Sequence, residues 1–515
     1  MFNKNPKQLN NINKYLRKPW NFVLQRLDSK RFYFMRYCFL ILSIFLFSCN
    51  LEKNKSSDLS EVEETVNILP VQLIRDFDQI LGSGELRVVI QNSPTSYFIH
   101  KGEPMGYEYD LSSRLADYFD LELKILTVDD IQTALNYIEN GYADILAYNL
   151  TITKERKNQI AFSEPIYQIK QVLVQKKPVN WRRQARHKTE KQLLRNVVDL
   201  EDKEIYVVRN SSHKKRLEHL SDEIGANITI VEADENIVVE QLLAQVNQGV
   251  LTYAIADDNV ANMFAGFYPD LDVKTEVSLD QNIAFGVSKE ALKWLDTLNF
   301  GIRNFKRQPD LNILFKRYFG KNKMMRSQVK NFSNEEHINS ISNYDAYLKH
   351  YSTSLDWDWR LLAALIYTES KFNPRLTSWS GAQGLMQIMP KTFESYNLKH
   401  PFDPEENIEA GTKHLLWLEK FWQKRLGDQI DISPFILASY NAGQAHVIDA
   451  IALCKYREMD SSKWSDVSQN LRLLSQPKYY KLPVVKYGYC RGNEPADYVV
   501  RIENIYSIYK DLVPE

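Results

Sequence analysis

The sequence predicts a multidomain protein whose first large module has an α/β layout and whose second half carries a long apolar helix ending in a carboxylate. Three observations support this. A chain of 515 residues exceeds one ordinary domain, and 44% hydrophobic with 12% aromatic residues supplies sizeable cores. Short β-branched runs alternate with helical patterns across residues 86–147, which implies a parallel α/β arrangement. Trp359–Ser370 reads as one helical run, stopped by Phe372, Asn373 and Pro374. Basic and acidic residues balance at 65 each, so charge gives no argument for nucleic acid as a partner, and no nucleic-acid motif is found.

At the amino end, Arg36 precedes an apolar run from Cys38 to Cys49 that is short for a membrane span. Leu46, Phe47, Ser48 and Cys49 resemble a bacterial lipobox, although Phe47 is larger than that position usually carries. The resemblance implies a signal peptide over residues 1–49, with Met35 as a cleaner start, and lipidation of Cys49. A short uncleaved anchor is the alternative. Asn50 gives no inner-membrane retention signal of the aspartate kind, so the expected address is the outer membrane, lipid-anchored on its periplasmic face. Residues 50–73 are polar and acidic and read as a tether. Beyond the signal segment only Cys454 and Cys490 remain, a disulfide candidate in an oxidising compartment, with two buried thiols as the alternative.

In the first module, Leu86–Ile90 reads as a buried strand, Tyr109–Phe119 as a helix, Val128–Asn140 as a helix closed by Gly141, and Ala143–Ala147 as a strand. The segments Gly106–Leu111, Gly141–Ile145, Thr151–Arg156 and Phe162–Tyr167 resemble the periplasmic solute-binding proteins that capture polar amino acids. The resemblance implies a two-lobed binding-protein fold over residues 74–320, with chain crossings near Val172–Val174 and Ile283–Val287 forming a hinge. It implies that Arg156 grips a ligand α-carboxylate with help from Thr151, a task suited to a planar guanidinium. Asp257 or Asp258 would take the ligand's amino group. A solvated arginine is the bland alternative for Arg156. Lys176–Arg195 is a basic insertion, read either as a solvated loop or as a contact for anionic wall polymer. Residues 321–341 read as a linker. No repeat, phosphate-cradling loop or zinc spacing is present in the sequence, so neither metal nor cofactor is expected.

In the second half, Leu361, Leu365 and Glu369 fall four residues apart on one helical stripe, which directs the carboxyl toward the interior or a cleft. Burial favours the protonated form, which general-acid cleavage of a glycosidic bond requires. A solvent-facing glutamate is the alternative. Downstream come Ser380–Pro390 with its Gly-Leu-Met-Gln core, Leu437–Gly443 with Tyr440 and Asn441, and Glu494–Val499 with Tyr498. In this order the motifs resemble the lytic transglycosylase domain of the soluble-transglycosylase type, similar in fold to goose-type lysozyme and mainly α, over residues 342–515. The resemblance implies that Glu369 is the sole catalytic acid and later the base, with Ser370 completing the family's Glu-Ser pair. It implies that Gln387, Tyr440 and Asn441 bond the acetamido and hydroxyl groups of the sugars, with Gln383, Glu494 and Tyr498 in the motifs around them. Met386 and Met389 fit a saccharide groove or, more usually at such spacing, a core.

The order of lipobox, solute-binding module and transglycosylase module resembles the membrane-bound lytic murein transglycosylases. That resemblance implies cleavage of the MurNAc-β-1,4-GlcNAc bond with formation of 1,6-anhydroMurNAc ends. Peptidoglycan glycan strands, an amino acid or muropeptide at the first module, and the membrane through the lipid anchor are the implied partners. The alternatives are a hydrolytic muramidase and a catalytically silent protein that senses peptidoglycan.

Overall fold

Leu86, Val88, Val89 and Ile90 are all fully buried, and a strand apolar on both faces belongs in the middle of a covered sheet. The computed structural model describes residues 73–128, 130–234, 237–320, 324–326 and 340–513. The expected signal segment with Cys49, the tether up to residue 72 and most of the expected linker lie outside these residues. The strands are β1 (Glu85–Gln91), β2 (Phe98–His100), β3 (Glu103–Met105), β4 (Glu122–Val128), β5 (Ile145–Ala147), β6 (Ala161–Phe162), β7 (Tyr167–Ile169), β8 (Gln171–Lys176), β9 (Glu204–Val207), β10 (Thr229–Glu232), β11 (Tyr253–Asp257), β12 (Leu271–Glu276), β13 (Gln281–Ile283) and β14 (Gly286–Val287).

Two five-stranded sheets form two lobes, ordered β4-β1-β5-β14-β6 and β10-β9-β11-β8-β12. The parallel layout expected across residues 86–147 holds for β1, β4 and β5, while each sheet as a whole is mixed. β1 runs parallel to β4 and β5, and β9 parallel to β10 and β11, but β14 is antiparallel to β5 and β8 is antiparallel to both β11 and β12. The reversed strands are those that carry the chain across the hinge. The hinge itself is a small ribbon in which β7 pairs with β13, Tyr167 opposite Ile283 and Ile169 opposite Gln281.

Seven helices position the two sites and their supports: α1 (Tyr107–Phe119), α2 (Ile131–Glu139), α3 (Val239–Gln248), α4 (Trp359–Ser370), α5 (Pro404–Leu426), α6 (Ser433–Ala442) and α7 (Asn493–Leu512). The helix expected from Tyr109 starts two residues earlier, at Tyr107. The helix expected over Val128–Asn140 shortens to α2 because Val128 still belongs to β4, and the Asp130 carboxylate caps the new start by accepting from the N–H groups of Gln132 and Thr133. Hydrogen bonds that cross between the lobes include Thr95 Oγ1 donating to Glu240 Oε1 of α3 at 2.9 Å, Asn149 Nδ2 donating to Asp257 Oδ2 at 3.0 Å, and Lys215 donating to Glu155. Glu240 and Glu108 of α1 are both buried, and burial raises their carboxyl groups to about 7 and about 8.

The basic insertion is fastened to its own lobe. Arg195 grips Asp272, with Nη2 to Oδ2 at 2.9 Å, and the Trp181 indole N–H donates to Asp270 at 2.8 Å. Lys177 lies over the Trp181 ring at 4.5 Å.

In the helical module, α4 holds Leu362 through Ile366 at zero exposure. Asp358 caps its start by accepting from the Arg360 N–H at 2.9 Å, and the buried Arg360 side chain both pairs with Asp358 and donates to the Val513 carbonyl at 2.7 Å. The helix ends where Lys371 and Phe372 adopt left-handed φ values of 50° and 57°. Its main packing partner is α7 at the end of the chain.

The turn between β2 and β3 docks on this same end of α4. Gly102 has φ of 80°, and a side chain there would press into the rings of Tyr367 and Phe372 and the Tyr509 hydroxyl. Tyr509 donates to the Gly102 carbonyl at 2.8 Å, while Tyr367 and Lys371 both reach Glu103 at 3.0 and 3.1 Å. Asn92 donates to the Leu512 carbonyl and Thr127 to the Asp511 carbonyl. The binding module is thus seated on the two helices that form the core of the second module.

The candidate cross-link between Cys454 and Cys490 is corrected: both are free and buried. Burial raises both thiols, Cys490 to about 11, so each is a packed, protonated side chain. Among the described residues no helix is long and apolar enough to cross a membrane.

Candidate active site and ligand cleft

Glu369 occupies the last turn of α4, one turn beyond the fully buried Leu365. Its carboxyl Oε1 accepts a 2.5 Å hydrogen bond from the hydroxyl of Tyr498, which α7 presents from its second turn. Burial raises Glu369 from its ordinary value of 4.5 to about 7, against a smaller downward pull from the Tyr498 bond and the charge of Arg501. Tyr498 is itself pushed well above 10, so it is a fixed donor. With Oε1 already receiving that donor, the acidic proton belongs on Oε2, and Glu369 presents one transferable proton in a defined direction. The charged residue that perturbs it is Arg501 rather than a second carboxylate.

Tyr440, on α6, is half-buried beside this pair, and its ionisation is opposed first by desolvation and then by the Glu369 charge. Its hydroxyl donates to the Met386 carbonyl at 2.7 Å, so it holds the Gly384–Gln387 turn rather than reaching into open space. Within that turn Gly384 has φ of 80°, and a Cβ there would collide with Asn407 and the Pro401 carbonyl. Asn407 ties the same turn down, accepting from Met386 N–H at 2.7 Å and donating to the carbonyls of Gln383 and Pro401. Gln387, at φ of 50°, donates its amide to the carbonyls of Leu376 and Gly384. Gln383 and Asn441 are partly exposed, and Glu494 is exposed one turn before Tyr498.

Two expected contacts are corrected. Ser370 is buried and its hydroxyl bonds back to the Ile366 carbonyl at 3.2 Å, completing the helix end instead of meeting a sugar. Met386 has no exposed surface, fills the space beside Gly411, and has both backbone groups committed; it is core. Met389 is 46% exposed. Sequence reading missed Arg501, although it stands three residues after Tyr498 on one helix, the spacing that places two side chains side by side.

The second site lies between the lobes, a cavity of about 380 Å³ lined by Thr151, Arg156, His213 and Asp257 among others. Arg156 donates to the Thr151 carbonyl at 3.1 Å and has no carboxylate partner among the described residues, while burial lowers its proton affinity. A half-buried guanidinium that lines a cavity without a carboxylate partner is chemically able to receive an anion. Of the two adjacent aspartates, Asp257 lines the cavity and is bonded by Asn149 at 3.0 Å and His213 Nε2 at 3.1 Å. Asp258 turns away and accepts the Lys170 N–H. Asn149 and His213 were missed, since neither carries a periodic or motif signal.

The burial of Glu369 makes a thermodynamic prediction. A carboxyl whose value is raised by folding binds its proton more tightly in the folded state, so its stabilising contribution is complete below about 4.5 and is lost as pH rises through about 7. Glu369→Gln does not titrate. The stability of the Gln variant relative to wild type should therefore rise by roughly 1–3 kcal/mol between about pH 5 and about pH 8. Paired thermal melts read this directly, and a difference that does not change with pH contradicts the burial.

Comparison with known proteins finds two recognised modules in this chain. Residues 86–321 match the family model of bacterial extracellular solute-binding proteins, family 3, and residues 346–462 match the transglycosylase SLT domain. The latter match includes Glu369, Gln387, Tyr440 and Asn441 and ends before Tyr498. Among curated relatives, a Pseudomonas putida protein named membrane-bound lytic murein transglycosylase F is 29% identical over 439 residues, covering 84% of this chain and 86% of its own. A Desulfosudis oleivorans protein of the same name is 29% identical over 430 residues, covering 83% of this chain and 90% of its own. Among solved structures, a mutant of ArgBP from T. maritima aligns at 24% identity with a TM-score of 0.40, over 47% of this chain and 99% of that one. The chain is a two-module relative of membrane-bound lytic murein transglycosylase F, an α/β solute-binding module of family 3 followed by a helical transglycosylase SLT domain.

Proposed function

We propose that this chain, a peptidoglycan lytic transglycosylase, cleaves the MurNAc-β-1,4-GlcNAc bond with a single carboxyl group and leaves 1,6-anhydroMurNAc ends. The observation that carries the reading is Glu369 raised to about 7 beneath Tyr498, with no second acid among the described residues perturbing it. In the first step the Oε2 proton passes to the bridging oxygen as the bond to the MurNAc anomeric carbon breaks. In the second, the carboxylate takes the proton of the sugar's own C6 hydroxyl as that oxygen bonds to the anomeric carbon. No water is consumed and Glu369 returns protonated, ready for another cycle. A hydrolytic muramidase would instead place a second carboxylate across the bond. We further propose lipid anchoring through Cys49 to the outer membrane, in keeping with the relatives' name.

The interlobe cavity is read as a receptor for an amino acid or muropeptide, its carboxylate on Arg156 and its amine on Asp257. The docking of the β2–β3 turn on the end of α4 supports regulation, because Tyr367 and Lys371 flank Glu369 two residues to either side. A ligand changes activity only by binding one lobe arrangement better than another, and a coupling of about 1–3 kcal/mol corresponds to roughly 5- to 150-fold.

Mass spectrometry of material released from purified sacculi tests the reaction. Wild type should release anhydro-ended fragments, and Glu369→Gln should lose at least about 10²-fold in rate while melting cooperatively. Reducing ends would select hydrolysis, and absence of release would select the silent sensor. Muropeptides should alter the wild-type melting temperature or rate, and Arg156→Ala should abolish that response while basal cleavage persists. A wild type indifferent to muropeptides would reduce the first module to a spacer.

A further inference from the structure

We propose that the face of α5 carrying His414, Trp417 and Phe421 is a saccharide subsite that extends the Glu369 groove along the glycan strand. The inference rests on the murein-cleaving role of Glu369 and names residues which that role does not use. It begins from a continuous path of rings. Tyr440, in electrostatic contact with Glu369, meets the His414 ring at 5.6 Å. His414 stacks on Trp417 at 5.7 Å with 10° between planes, and Trp417 meets Phe421 at 5.7 Å. The Arg425 guanidinium covers the far end, 3.6 Å from the Phe421 centroid.

These residues recur at intervals of three and four, so they form one ridge on one face of the helix. From His414 to Phe421 the ridge runs about 10 Å at 1.5 Å per residue, long enough to meet more than one sugar ring. Isolated exposed hydrophobic residues need no explanation, but a connected aromatic ridge leading away from a buried acid does. Trp417 keeps 44% of its surface exposed. A side chain left outside the core, with its neighbours ordered around it, is pre-arranged for an apolar face presented by a ligand.

Charge narrows the occupant to the uncharged pyranose faces of the strand. Burial lowers the proton affinity of His414, so the ring is neutral at neutral pH. Nearby on α5, Lys413 is paired with Glu409 at 2.7 Å. From His414 to Phe421 the ridge therefore offers flat, uncharged ring surface, with the Lys413–Glu409 pair beside it and the Arg425 guanidinium at its far end. Sugars in the strand present their apolar C–H faces at regular intervals, which suits stacking on Trp417. The distance from Glu369, through two intervening rings, places this contact at a sugar other than the one cleaved.

The test uses full-length protein and soluble uncrosslinked glycan strands of graded length. Trp417→Ala should raise KM for long strands about 5- to 20-fold with kcat within about twofold, a loss of the size expected for one aromatic stacking contact. The shortest cleavable fragments should be processed at the wild-type rate. Trp417→Phe, which keeps a ring, should restore KM to within about threefold of wild type. Trp417→Ala with wild-type KM on long strands, while wild type cleaves sacculi normally, overturns the subsite alone. A fall in kcat at unchanged KM, without rescue by Phe, assigns Trp417 to packing and also overturns it. Loss of self-association at unchanged KM would show the ridge to be a contact between copies and overturns it as well. Absence of any cleavage by wild type removes the murein reading first.

Discussion

The placement of one carboxyl group governs the rest of this structure. Glu369 sits at the end of a helix that is fully buried from Leu362 to Ile366, and the hydroxyl that meets it comes from α7. Neither helix could hold this geometry alone. Arg360 locks them at their other ends, pairing with Asp358 and donating to the Val513 carbonyl, so the α4–α7 pair is fixed at both extremes. The turn from Gly384 to Gln387 is braced separately by Asn407 and Tyr440. Polar groups that looked available for substrate are in large part used to hold the acid's surroundings still, as preorganised sites require.

The same helix pair is the platform for the binding module. The Gly102 turn contacts Tyr367, Phe372 and Tyr509, which belong to α4, its exit and α7. Upstream of that turn, Thr95 bonds Glu240 on the opposite lobe, so residues 95–105 run from the lobe contact to the end of α4. A change in lobe arrangement has a short, covalently continuous segment through which to act. The mixed sheets follow from the same design, because strands that cross a hinge enter their sheets against the direction of the βαβ units.

Much of this was legible in the sequence, for identifiable reasons. Trp359–Ser370 announced itself because a long, mainly apolar helical run with a Pro-containing stop has few other solutions. Helical periodicity also indicated the side to which Glu369 points. It could not say that Ser370, one residue on, would turn inward to Ile366, or that Met386 would fill the space beside Gly411; those outcomes depend on neighbours distant in sequence. The choice between Asp257 and Asp258 turned on where β11 ends, a boundary finer than pattern reading resolves. The Tyr509 to Gly102 contact joins residues 407 apart, and no local signal marks either. The two cysteines shared a compartment argument for bonding, yet packing buried each as a separate thiol.

The central claim is that burial beneath Tyr498 makes Glu369 an acid that is still substantially protonated near neutral pH. Titration of the side-chain carboxyl carbons of ¹³C-labelled glutamate, assigned by difference against Glu369→Gln, measures this in the full chain without reference to substrate. The expected result is a resonance with its midpoint at about 7 that is missing from the Gln variant. A Glu369 midpoint at the ordinary carboxyl value of 4.5 would contradict the claim.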